Sequence, residues 1–477
     1  MKITFIDPPV LIGNRSPERV FGCTYGLYSI PNIFLLTTAA VLRNKGHDVN
    51  YVNMPLKGYK ERDFITFLKS DNSEVYCFYS VNLAKKNDIL ALELIRKERG
   101  NIPVLFMGPG PTYDAKHYLK DHYCFVVRGE PDNIVSDLVS NLNHPELVKG
   151  LSYLKEGSVV DNPTAGLVNN LDELPIPARD LVNQNDYFNP KLGTSPFTAI
   201  VTSRGCPYKC LYCVPNSLSF ATEIEHKRAT NKKFKPRYRV YSAPRVIQEF
   251  KLLKEQGYKA VSILDDEFVI QKQRVIDICS GIKDVGIKWG CLARADSLDE
   301  DVVKAMAEAG CVYVDIGVES FDQKILDYIQ KDLDVKTIET AIALLKKHGI
   351  LAKANILFGA SPLETKETIN ATLEGIKRTD PDAVMFGICN PFPGTEYYEI
   401  AKKEGWFIHG DYVPMDVQKQ SNVSYPGGLS SEELEHAVRK ANFSFFLRPS
   451  FIMKNVNRMD SISSVLKSTH ALMKKLF

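Results

Sequence analysis

Short apolar runs alternate with longer helix-forming stretches through residues 1–145 and again through 196–400, and this alternation constrains the chain more than any other feature in it. In the first part the runs are Ile3–Ile6, Val49–Val52, Val75–Tyr79, Val104–Met107 and Phe125–Val127. Helical stretches fall between them, such as Ile33–Leu42, stopped by Lys45-Gly46, and Ile89–Arg96. Strands separated by helices of this size pair in parallel through right-handed crossovers. Residues 1–145 are therefore expected to form an α/β, doubly wound, Rossmann-like sheet. Ligands bind such sheets beyond the carboxyl ends of the strands. The kinked segments Asp7-Pro8-Pro9, Gly108-Pro109-Gly110-Pro111 and Arg128-Gly129-Glu130 fall at those ends.

Residues 146–195 read as a connector. Their proline-rich stretch Leu174-Pro175-Ile176-Pro177-Ala178-Arg179 fixes the backbone and removes donors, so an extended course is expected. Alternation then resumes over residues 196–400, with strands expected at Thr198–Thr202, Ala260–Leu264, Lys288–Leu292, Val312–Gly317, Ala354–Phe358 and Ala383–Gly387. Six such units suit a partial TIM-type (β/α)6 barrel, whose active site lies at the strand carboxyl ends. Residues 401–477 read as a small helical C-terminal domain, with Ser430 and Glu433 as a capping box.

The chemistry-bearing stretch follows the first strand of that second block. Cys206, Cys210 and Cys213 lie within eight residues, in Thr202-Ser203-Arg204-Gly205-Cys206-Pro207-Tyr208-Lys209-Cys210-Leu211-Tyr212-Cys213. Three thiolates on one loop suit three irons of a 4Fe-4S cubane, leaving the fourth iron open. Zinc is the competing reading, but a structural zinc site needs four ligands and no second pair accompanies this trio. A purely structural trio is the third reading.

The remaining cysteines, Cys23, Cys77, Cys124, Cys279, Cys291, Cys311 and Cys389, are isolated. Cys77, Cys291 and Cys311 lie in or beside strands and read as small buried hydrophobes. Lysine and arginine total 60 against 57 acidic residues, a net charge of +3, which gives no general attraction to nucleic acid. The basic run at 226–239 therefore reads as a solvated loop, and the aromatic stretch Phe443–Met453 as core. The apolar start ends at Pro8-Pro9, too short for a signal peptide, and no run of 18 apolar residues spans a membrane. A cytoplasmic location is expected.

The spacing of Cys206, Cys210 and Cys213, with the aromatic Tyr212 before the last, is similar to the signature of the radical S-adenosylmethionine superfamily. The resemblance implies a 4Fe-4S cluster whose open iron is chelated by the amino and carboxylate groups of S-adenosylmethionine. It also implies an electron donor of flavodoxin or ferredoxin type. One electron cleaves the sulfonium to give a 5′-deoxyadenosyl radical, chemistry that belongs to the cofactors. By the same resemblance Tyr212 belongs to the S-adenosylmethionine site. Asp265 and Asp266, after the second strand, approach the methionine amine, and Arg294, after the third, meets the carboxylate as a forked partner. Glu319 and Ser320, ending the fourth, contact the ribose or methionine moiety. The plain readings are that Asp265 and Asp266 cap a helix and that Arg294 makes a surface ion pair.

Further phrases resemble the cobalamin-binding branch of this superfamily: Asp7-Pro8-Pro9, Gly108-Pro109-Gly110-Pro111-Thr112, Val127-Arg128-Gly129-Glu130, Leu174-Pro175-Ile176-Pro177-Ala178-Arg179, Leu264-Asp265-Asp266-Glu267-Phe268 and Asn390-Pro391-Phe392-Pro393-Gly394-Thr395. The resemblance implies cobalamin near Pro9, Ser80, Gly108, Gly110, Gly129 and Glu130, the glycines admitting a broad corrin. No histidine follows the first strand in an Asp-x-His-x-x-Gly run, so none from that motif ligates cobalt. The implied function is methyl transfer to an unactivated carbon, or phosphorus, of a small molecule, lipid, tetrapyrrole or peptide. Three alternatives stand beside it: a cyclase, ring-rearranging or oxygen-inserting enzyme with the same cofactors; a methylthiotransferase using Cys23, Cys77 and Cys124; and a cobalamin or Fe-S sensor.

Overall fold

The computed structural model describes residues 1–25, 28–230, 235–449 and 451. Contacts divide the chain into two compact units. One comprises Met1–Pro207, Val214–Phe268 and Gln273–Trp289; the other comprises Tyr208–Cys213, Val269–Lys272 and the chain from Gly290 onward.

The first unit opens with the expected alternation. In order come β1 (Lys2–Asp7), α1 (Ile33–Asn44), β2 (Asp48–Asn53), α2 (Glu61–Ser70), β3 (Val75–Tyr79), α3 (Lys85–Arg99), β4 (Val104–Met107), the short α4 (Pro109–Tyr113) and α5 (Ala115–Tyr118), β5 (Cys124–Val127) and α6 (Pro131–Ser140). The strands β1 to β5 are parallel, in the order β2-β1-β3-β4-β5. Every residue of β3, β4 and β5 is buried, as continuous apolar strands between two helical layers must be. Helix α1 starts at Asn32, whose side chain accepts from the Leu35 N–H, and ten of its twelve residues are buried.

The segment expected as a connector also adds to this sheet. A hairpin of β6 (Leu151–Lys155) and β7 (Ser158–Asp161) extends it antiparallel beyond β5. Glu156 and Gly157 form its two-residue turn with φ of 51° and 77°, the paired left-handed geometry that suits strand twist. Arg128, at the end of β5, fixes the hairpin by donating to the Leu151 carbonyl and the Ser152 hydroxyl.

The second block begins in the same unit with β8 (Phe197–Ile200), β9 (Ser203–Arg204), α7 (Ser217–Thr230), β10 (Arg239–Val240), α8 (Ala243–Glu255), β11 (Ala260–Ile263) and α9 (Lys272–Ile282). It continues through β12 (Lys288–Ala293) into α10 (Glu300–Glu308), β13 (Cys311–Glu319), α11 (Gln323–Tyr328), α12 (Val335–Lys347), β14 (Leu351–Phe358), α13 (Lys366–Thr379) and β15 (Ala383–Ile388). The six-stranded sheet runs β8-β11-β12-β13-β14-β15, the strand order of a partial barrel. The pairs β8/β11, β13/β14 and β14/β15 are parallel. Asp299, Asp322, Asp334 and Thr365 each accept from the first turn of the helix they precede, which explains why α10 to α13 start where they do.

The tail departs from an all-helical reading. After α14 (Glu396–Lys403) the chain from 404 to 430 forms no helix, and holds a bridge between Phe407 and Val423. Helix α15 (Ser431–Phe446) follows, with the expected capping box of Ser430 and Glu433. The rest of the expected helical domain, from 452, lies outside the described residues, as does Met453 of the aromatic stretch. The basic run is not a free loop either. Its first part ends α7, residues 231–234 lie outside the described residues, and Arg239 is buried against Glu130. No described helix is long and apolar enough to cross a membrane.

Candidate functional site

The cysteine trio lies in the irregular segment 205–216 between β9 and α7. Cys206, Cys210 and Cys213 are each partly exposed, whereas six of the other cysteines are buried; Cys23 is partly exposed too. Among the described residues no three His, Cys, Asp or Glu side chains are gathered as a ready-made ion site. The case for the trio therefore rests on its donor set: three accessible thiols on one short loop, at spacings that suit a cubane. The methylthiotransferase trio fares differently. Cys77 packs into the core on one side of the N-terminal sheet and Cys124 into the core on the other, so they cannot share a cluster.

In the second unit, the loop 208–213 is tied down by its neighbours. The Leu211 N–H donates to the Ile329 carbonyl at 2.9 Å. The Arg294 guanidinium lies 3.7 Å from the centre of the Tyr208 ring, and its Nη1 points at Cys210 Sγ at 3.9 Å. Its other donors are engaged: Nε and Nη2 take the two oxygens of Asp296, and Nη2 also reaches the carbonyls of Lys331 and Asp332. Glu319, at the end of β13, is ion-paired with the buried Lys331 at 2.8 Å. Lys331 Nζ also lies 3.4 Å from the Tyr212 hydroxyl. Burial disfavours the ammonium, but Glu319 and Cys210 outweigh it and raise the Lys331 pKa. Burial and the nearby Glu319 carboxylate hold the Tyr212 phenol protonated, well above its usual value. Ser320 is buried and shares a hydrogen bond with Thr372 Oγ1. Lys331 was not singled out from the sequence, because a lysine in a loop defaults to a solvated charge.

In the first unit, at the end of β11, the acids Asp265 and Asp266 differ. Asp265 accepts from the Thr202 N–H, the Thr202 hydroxyl and the Ser203 hydroxyl at 2.6–2.7 Å. It braces the strand leading into the cysteine loop. Asp266 Oδ1 accepts the Asn216 N–H, while Oδ2 is buried with no hydrogen-bond partner. Burial pushes its carboxyl up to about 7, the Ser219 hydroxyl and Asn216 N–H holding it down in part. The bonds described for both acids run to residues 202–216.

At the far end of the N-terminal sheet, the order β2-β1-β3-β4-β5 reverses direction between β1 and β3. The crevice at such a switch point is where open α/β sheets bind ligands. Pro9 stands beyond β1, its carbonyl accepting from Asn87, and Ser80 stands beyond β3, its hydroxyl 3.1 Å from Tyr118 Oη. Gly108, Gly110 and Gly129 serve the chain's own packing rather than an open space. A Cβ at Gly108 would sit 2.5 Å from the Ser80 carbonyl oxygen, one at Gly110 2.6 Å from Tyr118 Oη, and one at Gly129 3.3 Å from Glu225 Cβ. Glu130 is likewise committed: it accepts from Arg204, Arg239 and the Val168 N–H, and these arginines overcome burial to lower its pKa.

Helix α7 connects these regions within the first unit. It packs on α4 beside Gly108 and Gly110. Ser217, four residues past Cys213, donates its N–H to the Val20 carbonyl, and its hydroxyl contacts the Arg19 carbonyl and Tyr79 Oη at the end of β3. The segment that leaves the cysteine loop is thus fastened beside the switch point. A serine at a helix start carries only a capping signal, so this contact was not legible in the sequence.

The Radical SAM superfamily profile matches residues 200–374. An uncharacterized methyltransferase, PH0819, of Pyrococcus horikoshii is 31% identical over 467 residues, covering 96% of this chain and 95% of the relative. Anaerobic magnesium-protoporphyrin IX monomethyl ester cyclase of Rubrivivax gelatinosus is 25% identical over 448 residues, covering 88% and 75%. The solved structure of the cobalamin-dependent S-adenosylmethionine radical enzyme OxsB, with aqua-cobalamin and S-adenosylmethionine bound, superposes with a TM-score of 0.70 at 17% identity, covering 98% of this chain and 71% of OxsB. At that identity the likeness is one of fold.

Proposed function

Because this chain belongs to the cobalamin-binding branch of the radical S-adenosylmethionine enzymes, we propose that it transfers a methyl group from S-adenosylmethionine to an unactivated carbon, or phosphorus, of a small molecule, lipid, tetrapyrrole or peptide. When bound, the cluster supplies the electron that cleaves S-adenosylmethionine and the corrin supplies the methyl carrier. Cys206, Cys210 and Cys213 hold the cluster. Asp266 receives the methionine ammonium on its unpartnered oxygen, while Asp265 braces Thr202 and Ser203 behind it. By the family resemblance, Tyr212, Glu319 and Ser320 are further residues for binding S-adenosylmethionine. Pro9 and Ser80 border the corrin at the switch point, and Gly108, Gly110, Gly129 and Glu130 hold the surrounding walls close. A low-potential donor of flavodoxin or ferredoxin type delivers the electron. A reducing cytoplasm suits a site built on three thiols.

The observation that supports a carrier coupled to a radical source is the bond of Ser217, in the segment that follows Cys213, to Tyr79 at the end of β3. The similarity to a cyclase favours a second reading, ring formation with the same cofactors. The by-products separate the two. Methyl transfer consumes two molecules of S-adenosylmethionine and releases S-adenosylhomocysteine and 5′-deoxyadenosine in equal amounts. Anaerobic turnover of reconstituted protein with candidate substrates, followed by mass analysis, is expected to show both. Production of 5′-deoxyadenosine alone would overturn methyl transfer and favour the cyclase-type reading.

A further inference from the structure

We propose that Arg294 is a positioning and tuning residue that acts through Cys210, favouring electron entry into the cluster. The inference rests on the reading that Cys206, Cys210 and Cys213 hold a cluster. It departs from the expectation that this arginine meets the S-adenosylmethionine carboxylate.

The geometry carries it. Arg294 is 5% exposed, and its donors are taken up by acceptors of the protein. One side of the fork is closed by Asp296, with both contacts at 3.0 Å. Nη2 is further engaged by two backbone carbonyls. Nη1 faces Cys210 Sγ. The flat face of the guanidinium covers Tyr208, two residues before that sulfur. Carbonyls held by Arg294 belong to the segment 329–332, which also binds Leu211 through Ile329 and presents Lys331. That segment is strained: Gln330 and Asp332 both have φ above +50°, on either side of Lys331. Backbone strain of this kind persists only where surrounding contacts over-determine it, and it gathers at functional sites. The contacts here are those of Arg294.

The electrostatics follow. A guanidinium is always charged in proteins, and the fork to Asp296 holds this one in place beside Cys210. A fixed positive charge and an N–H donor at a cluster thiolate stabilise the extra electron of the reduced state. Removing them makes the cluster harder to reduce. Removing Asp296, the countercharge, does the opposite, because the guanidinium then acts on the sulfur unopposed.

The test is an EPR-monitored redox titration of reconstituted protein, with iron and sulfide determined on the same samples. Wild type, Arg294→Gln, Arg294→Lys and Asp296→Asn are compared. Arg294→Gln is expected to keep its iron and shift the midpoint negative by about 59 mV, a tenfold change for one electron. Arg294→Lys is expected to shift less, since it keeps the charge and loses the fork. Asp296→Asn is expected to shift positive. Opposite signs are something that loss of loop packing alone does not produce. An unchanged midpoint in an iron-replete Arg294→Gln overturns the proposal. If that variant loses its iron, Asp296→Asn decides: a positive shift supports the proposal, and a negative or absent shift overturns it. A wild-type protein that binds no cluster would overturn the family-based reading of the trio and this inference with it, whereas an iron-replete wild type with unmoved variants sinks the inference alone.

Discussion

Asp265 and Asp266 are adjacent in the chain but opposite in their bonding: the Asp265 carboxylate takes three hydrogen bonds from Thr202 and Ser203, while Asp266 Oδ2, equally hidden from water, takes none. A buried acceptor without a donor is costly, and proteins keep such atoms where something else supplies the donor. Burial raises the pKa of both acids, and pushes Asp266 up to about 7. Asp266 therefore titrates in the neutral range. The cation proposed to complete it is the ammonium of S-adenosylmethionine.

Binding of S-adenosylmethionine should accordingly depend on pH through Asp266. The ammonium pairs only with the ionised carboxylate, so affinity is expected to strengthen from pH 6 to pH 8 and level off above. Asp266→Asn should weaken binding about tenfold, in line with the loss of one charge-assisted hydrogen bond. It should also flatten the pH profile. Equilibrium binding to cluster-loaded protein measures both, and an unaltered profile in the variant would refute the assignment. The linkage to stability has the opposite sign. The folded-state pKa lies above the unfolded one, so the stabilisation is full at low pH and is lost as pH rises towards 7.

The folded glycine contacts make a separate, cofactor-independent prediction. Gly108 has φ of +103°, and any Cβ there meets the Ser80 carbonyl at 2.5 Å. Gly108→Val should cost more than the roughly 1–3 kcal/mol of the backbone conformation alone. Gly46, with φ of +84° but nothing within 4 Å, is the control. Gly46→Val should pay only the backbone cost. Urea midpoints compare the two, and equal losses would mean that the approach of β4 to Ser80 does not require glycine.

Most strands were legible in the sequence because continuous apolar runs mark buried parallel strands, and Val75–Tyr79 and Val104–Met107 coincide with β3 and β4. The hairpin β6/β7 was not, because short edge strands of mixed polarity, such as Ser158–Asp161, lack that signature. For the candidate site, Cys206, Cys210 and Cys213 stand out in the sequence because thiols at such spacing have few other uses. Lys331, Ser217 and the commitment of Glu130 to Arg204 and Arg239 do not. Their partners lie far away in sequence, and pairing at a distance leaves no local pattern.

The division among the cysteines is open to a direct count. Alanine at Cys206, Cys210 or Cys213 should abolish the iron and the broad visible absorbance of the cluster, because the cubane depends on those thiolates. Cys77→Ala and Cys124→Ala should retain full iron and lose only packing, since both thiols are buried within strands. Iron falling by half in either strand variant would reveal a second cluster and revive the methylthiotransferase reading.

The pair formed by Glu319 and Lys331 should betray its burial through pH. Both side chains are almost wholly enclosed, and Glu319 sits in the left-handed region at φ of +65°. Lys331→Met leaves a buried carboxylate without its cation, a change that costs about 3–5 kcal/mol in such settings. A buried carboxylate without its cation is costly only while it is charged, and protonation relieves that cost. A group relieved in that way favours the folded state while it holds its proton. The deficit of Lys331→Met relative to wild type should therefore shrink as pH falls from 8 to 5. In the double variant Glu319→Gln with Lys331→Met, no carboxylate remains to be stranded, and part of the loss should be recovered at pH 8. Denaturation midpoints across that range decide it: a deficit independent of pH would show that Lys331 contributes through packing of its stem rather than through the charge it places beside Glu319, Tyr212 and Cys210.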